Sequence, residues 1–99
     1  MSFSNIQSVQ KTTTATAVNG RTRLLGLYFT NTATAATLTL RSGGSGGTVK
    51  LTVNSPASAG SQDLMIPDMG ILFDDGIHVT FSSAEITSVT LLFEGGAAA

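Results

Sequence analysis

Apolar residues in this chain recur at every second position, in short runs that turn residues break before they reach helical length. In residues 48–54 (TVKLTVN), Val49, Leu51 and Val53 alternate with Lys50 and Thr52. Residues 36–41 (ATLTLR) place Leu38 and Leu40 on one face, and residues 77–82 (IHVTFS) do the same with Ile77, Val79 and Phe81. A period of two is the mark of a strand, because successive side chains point to opposite faces. No window sets apolar residues at i, i+3, i+4 and i+7 with helix formers between them. Thr, Val, Ile and Phe dominate instead, and these side chains pack well on a pleated surface.

The remaining runs follow the same logic. Residues 12–18 (TTTATAV) form a weak first strand, and Asn19-Gly20 is expected to be a turn. Residues 22–31 (TRLLGLYFTN) form the strongest strand. It is apolar on both faces, which predicts a central position with both faces covered and core roles for Tyr28 and Phe29. Residues 62–66 (QDLMI) are a short strand ended by Pro67, residues 70–73 a further short strand, and residues 86–94 (ITSVTLLFE) the closing one. Residues 42–47 (SGGSGG) have the composition of a mobile hairpin tip. Residues 73–77 (FDDGI) are a second hairpin candidate, since Asp-Gly suits a tight primed turn. Seven to eight short antiparallel strands with frequent turns predict an all-β, single-domain β-sandwich or jelly roll. Residues 12–95 are expected to form that domain, with residues 1–11 a flexible N-terminal arm and residues 96–99 a flexible tail.

Composition narrows the function classes. Ninety-nine residues suit one domain. Charged residues make up 11% of the chain, against roughly 25% in ordinary soluble domains. Five Lys and Arg against six Asp and Glu give a net charge of -1, so no electrostatic footprint for nucleic acid or an anionic membrane is expected. A surface so poor in charge does little to keep copies apart, which favours self-association. With no cysteine, disulfides, thiol catalysis and Cys-ligated zinc are excluded. The longest apolar run, residues 24–29 (LLGLYF), falls far short of the ~20 residues that span a bilayer. Residues 1–10 (MSFSNIQSVQ) have neither a basic n-region nor an apolar h-region, so no signal peptide is expected.

No catalytic constellation emerges. His78 is the single histidine, and general acid–base chemistry needs a second titratable group placed beside it. It is therefore expected on the outer face or at an interface. Asp63, Asp68, Asp74 and Asp75 gather the acidity in one third of the chain. Only Asp74-Asp75-Gly76 is contiguous, and it lacks the spaced oxygen ligands of a calcium loop, so a structural turn is expected, with a bound cation as the alternative. The glycines of residues 43–47 lack the following Lys-Ser/Thr of a phosphate-binding loop, and no G-x-S-x-G elbow is present. No catalytic, cofactor-binding or metal-ligating residue is assigned, and no enzyme is expected. Arg21 and Arg23 flank Thr22 and point to one face. There they would meet a small anion or a partner's carboxylate, or stand as solvated charges that discourage stray edge pairing. Together with Arg41 and His78 they form the candidate interface set.

Two stretches carry a family resemblance. Residues 20–40 (GRTRLLGLYFTNTATAATLTL) and 56–81 (PASAGSQDLMIPDMGILFDDGIHVTF), followed by a closing strand ending LLFEGG, resemble small tailed-bacteriophage virion structural proteins. The shared features are strand and turn patterns: an Arg- and Leu-bearing strand leading to N-T-A, then T-L-T-L, a Gly-rich hairpin, P-A-S-A-G, and G-I-x-F-x-D-G-I-x-V. The resemblance covers about residues 20–95. It implies a capsid decoration (cement) protein, made in the host cytoplasm and located on the virion surface. Such a protein binds the major capsid protein and its own copies through sheet faces and loops, with a trimer the expected oligomer. The alternative is a carbohydrate- or receptor-binding β-sandwich of a phage fibre or tail. The absence of Trp, which leaves an aromatic sugar platform poorly supplied, weighs against it.

Overall fold

The computed structural model describes residues 6–67 and 70–99. The protein is all-β, as the alternation predicts. Eight antiparallel strands run in chain order as β1 (Gln7–Lys11), β2 (Ala15–Asn31), β3 (Thr37–Ser42), β4 (Thr48–Asn54), β5 (Gly60–Met65), β6 (Ile71–Phe73), β7 (Ile77–Phe81) and β8 (Ile86–Ala98). All belong to one hydrogen-bonded sheet, ordered β1-β8-β2-β7-β3-β4, with β5 and β6 also paired to β2.

β2 is the spine of this sheet. Thr22 pairs with both Phe73 and Gly95, and Val18 with both Ile77 and Ala98, so β2 has partners on each edge. β8 follows one edge for most of its length. Along the other edge lie β7, β6 and β5 in turn, opposite residues 15–18, 22–24 and 26–31 of β2. The far edge of β7 carries β3, and β3 carries β4 through the expected glycine-rich hairpin.

The sheet folds over itself. A single core cluster joins Leu24, Leu27 and Phe29 of β2 with Leu38 and Leu40 of β3, Phe73 of β6, Ile77 and Val79 of β7, and Ile86, Val89, Leu91 and Phe93 of β8. The shortest dimension of the molecule is 21 Å. That thickness suits two β layers packed about 10 Å apart with their outer side chains. The two layers of this sandwich are therefore halves of one continuous sheet, not two separate sheets.

The bend sits where glycines with positive φ meet. Gly20 of β2 (φ 86°), Gly76 before β7 (φ 82°), and Gly95 and Gly96 of β8 (φ 79° and 62°) lie beside one another across the sheet. A Cβ on Gly76 would collide with the Val18 carbonyl oxygen. One on Gly96 would collide with the Thr22 hydroxyl and approach Val18 Cγ1 to 2.7 Å and the Asn19 carbonyl oxygen to 2.8 Å. The Thr22 hydroxyl, 2.8 Å from the Gly20 carbonyl oxygen, donates to it and closes the bend. Glycine kinks and bulges of this kind curve a sheet sharply.

This corner accounts for the differences from the sequence reading. Asn19-Gly20 is not a turn between two strands. It is a bulge inside one strand of seventeen residues, where the β2–β8 register shifts between Asn19 and Thr22. The 73–77 segment is not a hairpin either. β6 and β7 follow each other along the same edge of β2, and Asp74-Asp75-Gly76 is the kink that carries the chain past the corner. Residues 7–11, expected in an arm, form β1, which pairs with β8 from Gln7↔Phe93 to Lys11↔Val89. Val9 packs against the core, and Lys11 Nζ donates to the Ala99 carbonyl at 2.9 Å. Residues 1–5 of that expected arm lie outside the described residues. The expected tail is strand as far as Ala98, pairing with Val18, because the chain beyond the corner still finds an edge of β2.

Gly96→Ala is expected to lower unfolding stability in urea by about 2 kcal/mol or more, since a strained φ and a backbone collision add. Gly46→Ala, where a Cβ would meet open space, should stay within about 0.5 kcal/mol of the parent.

Candidate interaction surfaces

The candidate interface residues fall into two groups, one on β2 and one on the β3–β7 pair. Arg21 and Arg23 lie just past the corner, on either side of buried Thr22. With Leu72, Glu94 and Gly95 they line a shallow cleft of about 260 Å³. Arg23 faces Leu72 across one edge and Glu94 across the other. A carboxylate is thus placed beside one of the two guanidinium groups, and the cleft is electrostatically mixed. It is not an anion cradle.

Arg41 and His78 meet before the corner. They are directly opposite each other on β3 and β7, and His78 is in turn opposite Thr16 on β2. Alternation puts His78 on the side of its layer opposite Ile77 and Val79, yet it is only 8% exposed. Its Nδ1 lies 3.3 Å from the Thr16 hydroxyl oxygen. Its burial comes from neighbours within the sheet, which the spacing of β7 alone does not show. Asp75 sits near this end of β3, its backbone N–H donating to the Ser42 hydroxyl at 3.0 Å. Among the described residues no group of three or more His, Asp or Glu is placed to hold a metal ion.

The surfaces missed by the sequence are sheet edges and one outer face. β1 and β4 end the strand order, and β5 and β6 pair with β2 alone, so each keeps an unpaired edge among the described residues. All six residues of β5 are exposed. The ends of β4 and β5 face each other across a groove of about 410 Å³, floored by Phe29 and walled by Val53, Pro56 and Leu64. Asn31 fixes this mouth: its Nδ2 donates to the carbonyls of Thr32, Pro56 and Ser58 at 2.8, 3.3 and 2.9 Å.

Tyr28 corrects an expectation. It is 46% exposed rather than part of the core, because the outer side of the β8-β2-β5 layer has no layer above it. Register places it between Asp63 and Thr90, two residues before Thr30 on the same face. Further back along the same face of β2, Gly26 pairs with Met65, which is 63% exposed. A Cβ on Gly26 would come within 2.9 Å of both Met65 Sδ and the Leu64 carbonyl oxygen. A glycine inside an otherwise bulky strand was the available signal for such a close approach.

The chain matches no protein-family model, no curated protein and no solved structure.

Gly26→Val should push β5 off the spine. Amide hydrogen exchange is expected to show loss of protection across residues 60–65 while the β2–β8 amides stay protected. Equal protection in both variants would contradict the close packing of β5 on Gly26.

Proposed function

We propose that this protein is a non-enzymatic structural component that acts by association, as a capsid decoration protein binding its own copies and a larger shell. The observation that supports this reading is the set of open edges on β1, β4 and β5 around a small, charge-poor sandwich. Exposed backbone donors and acceptors at a sheet edge are templates for pairing with another chain. β4 carries little edge protection: Lys50 is its one charged residue, and Val49 beside it is 47% exposed. The partner in this proposal, a major capsid protein, and the setting, the outer surface of a shell, rest on the strand-and-turn resemblance of residues 20–95 alone. A homotrimer is the expected state.

A second reading has its own observation. Tyr28 presents an aromatic ring on an open face beside Asp63, Thr90 and Thr30, a grouping that suits the apolar face and hydroxyls of a sugar. In that reading the protein is a glycan- or receptor-binding module of a fibre or tail.

Light scattering and co-sedimentation separate the two. The decoration reading predicts a compact oligomer that pellets with tailed-phage shells at fixed stoichiometry. Thr52→Pro on the open edge of β4 should reduce that binding at least tenfold and leave the monomer folded. A monomer that ignores shells, combined with glycan-array binding lost in Tyr28→Ala, would replace decoration with the glycan reading.

A further inference from the structure

We propose that the outer side of the β3–β7 pair binds a carboxylate between Arg41 and His78. These residues occupy one rung of an antiparallel ladder. Side chains so placed share a face, with Cβ atoms about 5 Å apart. Two nitrogens on this rung, Arg41 Nε and His78 Nε2, are buried without a hydrogen-bond partner among the described residues. The third such atom, Asn31 Oδ1, is at the other end of β2. Folded proteins pair roughly 90% or more of their buried polar groups, so two orphaned nitrogens on facing residues mark a place where an acceptor belongs.

The chemistry of the donors selects the ligand. The Thr16 hydroxyl beside His78 Nδ1 can donate to it, and with that bond in place Nε2 carries the ring proton. His78 Nε2–H and Arg41 Nε–H then both donate, and neither accepts. A cation finds no ligand there. One guanidinium charge matches a monoanion, and two facing donors match the two oxygens of a carboxylate. The ladder is also distorted at this point. Leu40 faces Leu51 but Arg41 faces Val49, so Lys50 is an extra residue in β4. Bulges of this kind re-aim side chains next to binding sites. Asp75 does not serve as the acceptor: its Oδ2 lies 3.7 Å from where a Gly43 Cβ would be, and Arg41 Nε is still unpaired. The carboxylate therefore comes from a small molecule in solution or from an Asp or Glu of a second copy. The site does not depend on the assembly reading, because either source supplies the same pair of acceptor oxygens.

Nitrogen NMR on the uniformly labelled protein tests this. Sodium acetate is titrated against sodium chloride at matched ionic strength, and the acetate-free protein is separately diluted. The expected result is a protonated His78 Nε2 and a saturable acetate shift of both His78 Nε2 and Arg41 Nε, with chloride producing none. The His78 response should vanish in Arg41→Met, whose amide spectrum reports whether it is folded. If the acetate-free protein already shows the bound shifts and loses them on dilution, the carboxylate belongs to a second copy and the site stands. If Arg41→Met does not fold, the parent titration decides alone. An Nε2 without a proton, equal responses to chloride and acetate, or no response to acetate or dilution would overturn the proposal.

Discussion

Close backbone approach at one corner governs this fold. β2, β8 and the β6–β7 row all change direction at the same level, and each does so through glycine in the left-handed region. Side chains there would strike the Val18 and Asn19 carbonyl oxygens or the Thr22 hydroxyl. Without the bend, β3 and β7 would extend away from β8, and the apolar faces of both halves would remain in water. With it, three phenylalanines, Phe29, Phe73 and Phe93, are buried with the leucines of β2, β3 and β8. Burying each such side chain is worth about 1.5–3 kcal/mol. The corner therefore converts a flat sheet with two half-apolar faces into a closed core.

The same bend distributes the surface features. A sheet that folds once and does not close into a barrel keeps its edges, here β1, β4 and the outer edge of β5. The mouth between β4 and β5 is the side opposite the fold line, which is why Phe29 floors a groove there. The two outer faces also differ. On the layer before the corner, Arg41, His78 and Thr16 make a polar rung. On the layer after it, Tyr28 and Met65 leave apolar surface exposed. Two unlike faces and several open edges suit a protein that contacts more than one neighbour at once.

Period-two alternation made most strands legible from sequence. The runs containing Leu38 and Leu40, then Val49, Leu51 and Val53, are strands β3 and β4, and SGGSGG is the tip joining them. Local rules failed where geometry is nonlocal. Asn-Gly and Asp-Gly favour tight turns, yet here Gly20 and Gly76 serve a bend whose cause is the neighbouring strand. β1 carries one aliphatic residue, Val9, among polar ones, so its pairing with β8 has no strong local signal. Arg41 and His78 were legible singly as candidate interface residues. Their pairing depends on β7 passing between β2 and β3, and thirty-six intervening residues give no sign of it.

The continuous, folded sheet is tested most directly by methyl and backbone NOEs on the isotopically labelled protein. The account predicts unbroken cross-strand backbone contacts from β8 through β2 and β7 to β3, including Val18 with both Ile77 and Ala98. It also predicts NOEs from the methyls of Leu38 and Leu40 to those of Leu24, Leu27, Val89 or Leu91 across the core. Intact backbone ladders with no methyl contact between β3 and the β2–β8 layer would describe an open sheet and contradict the account.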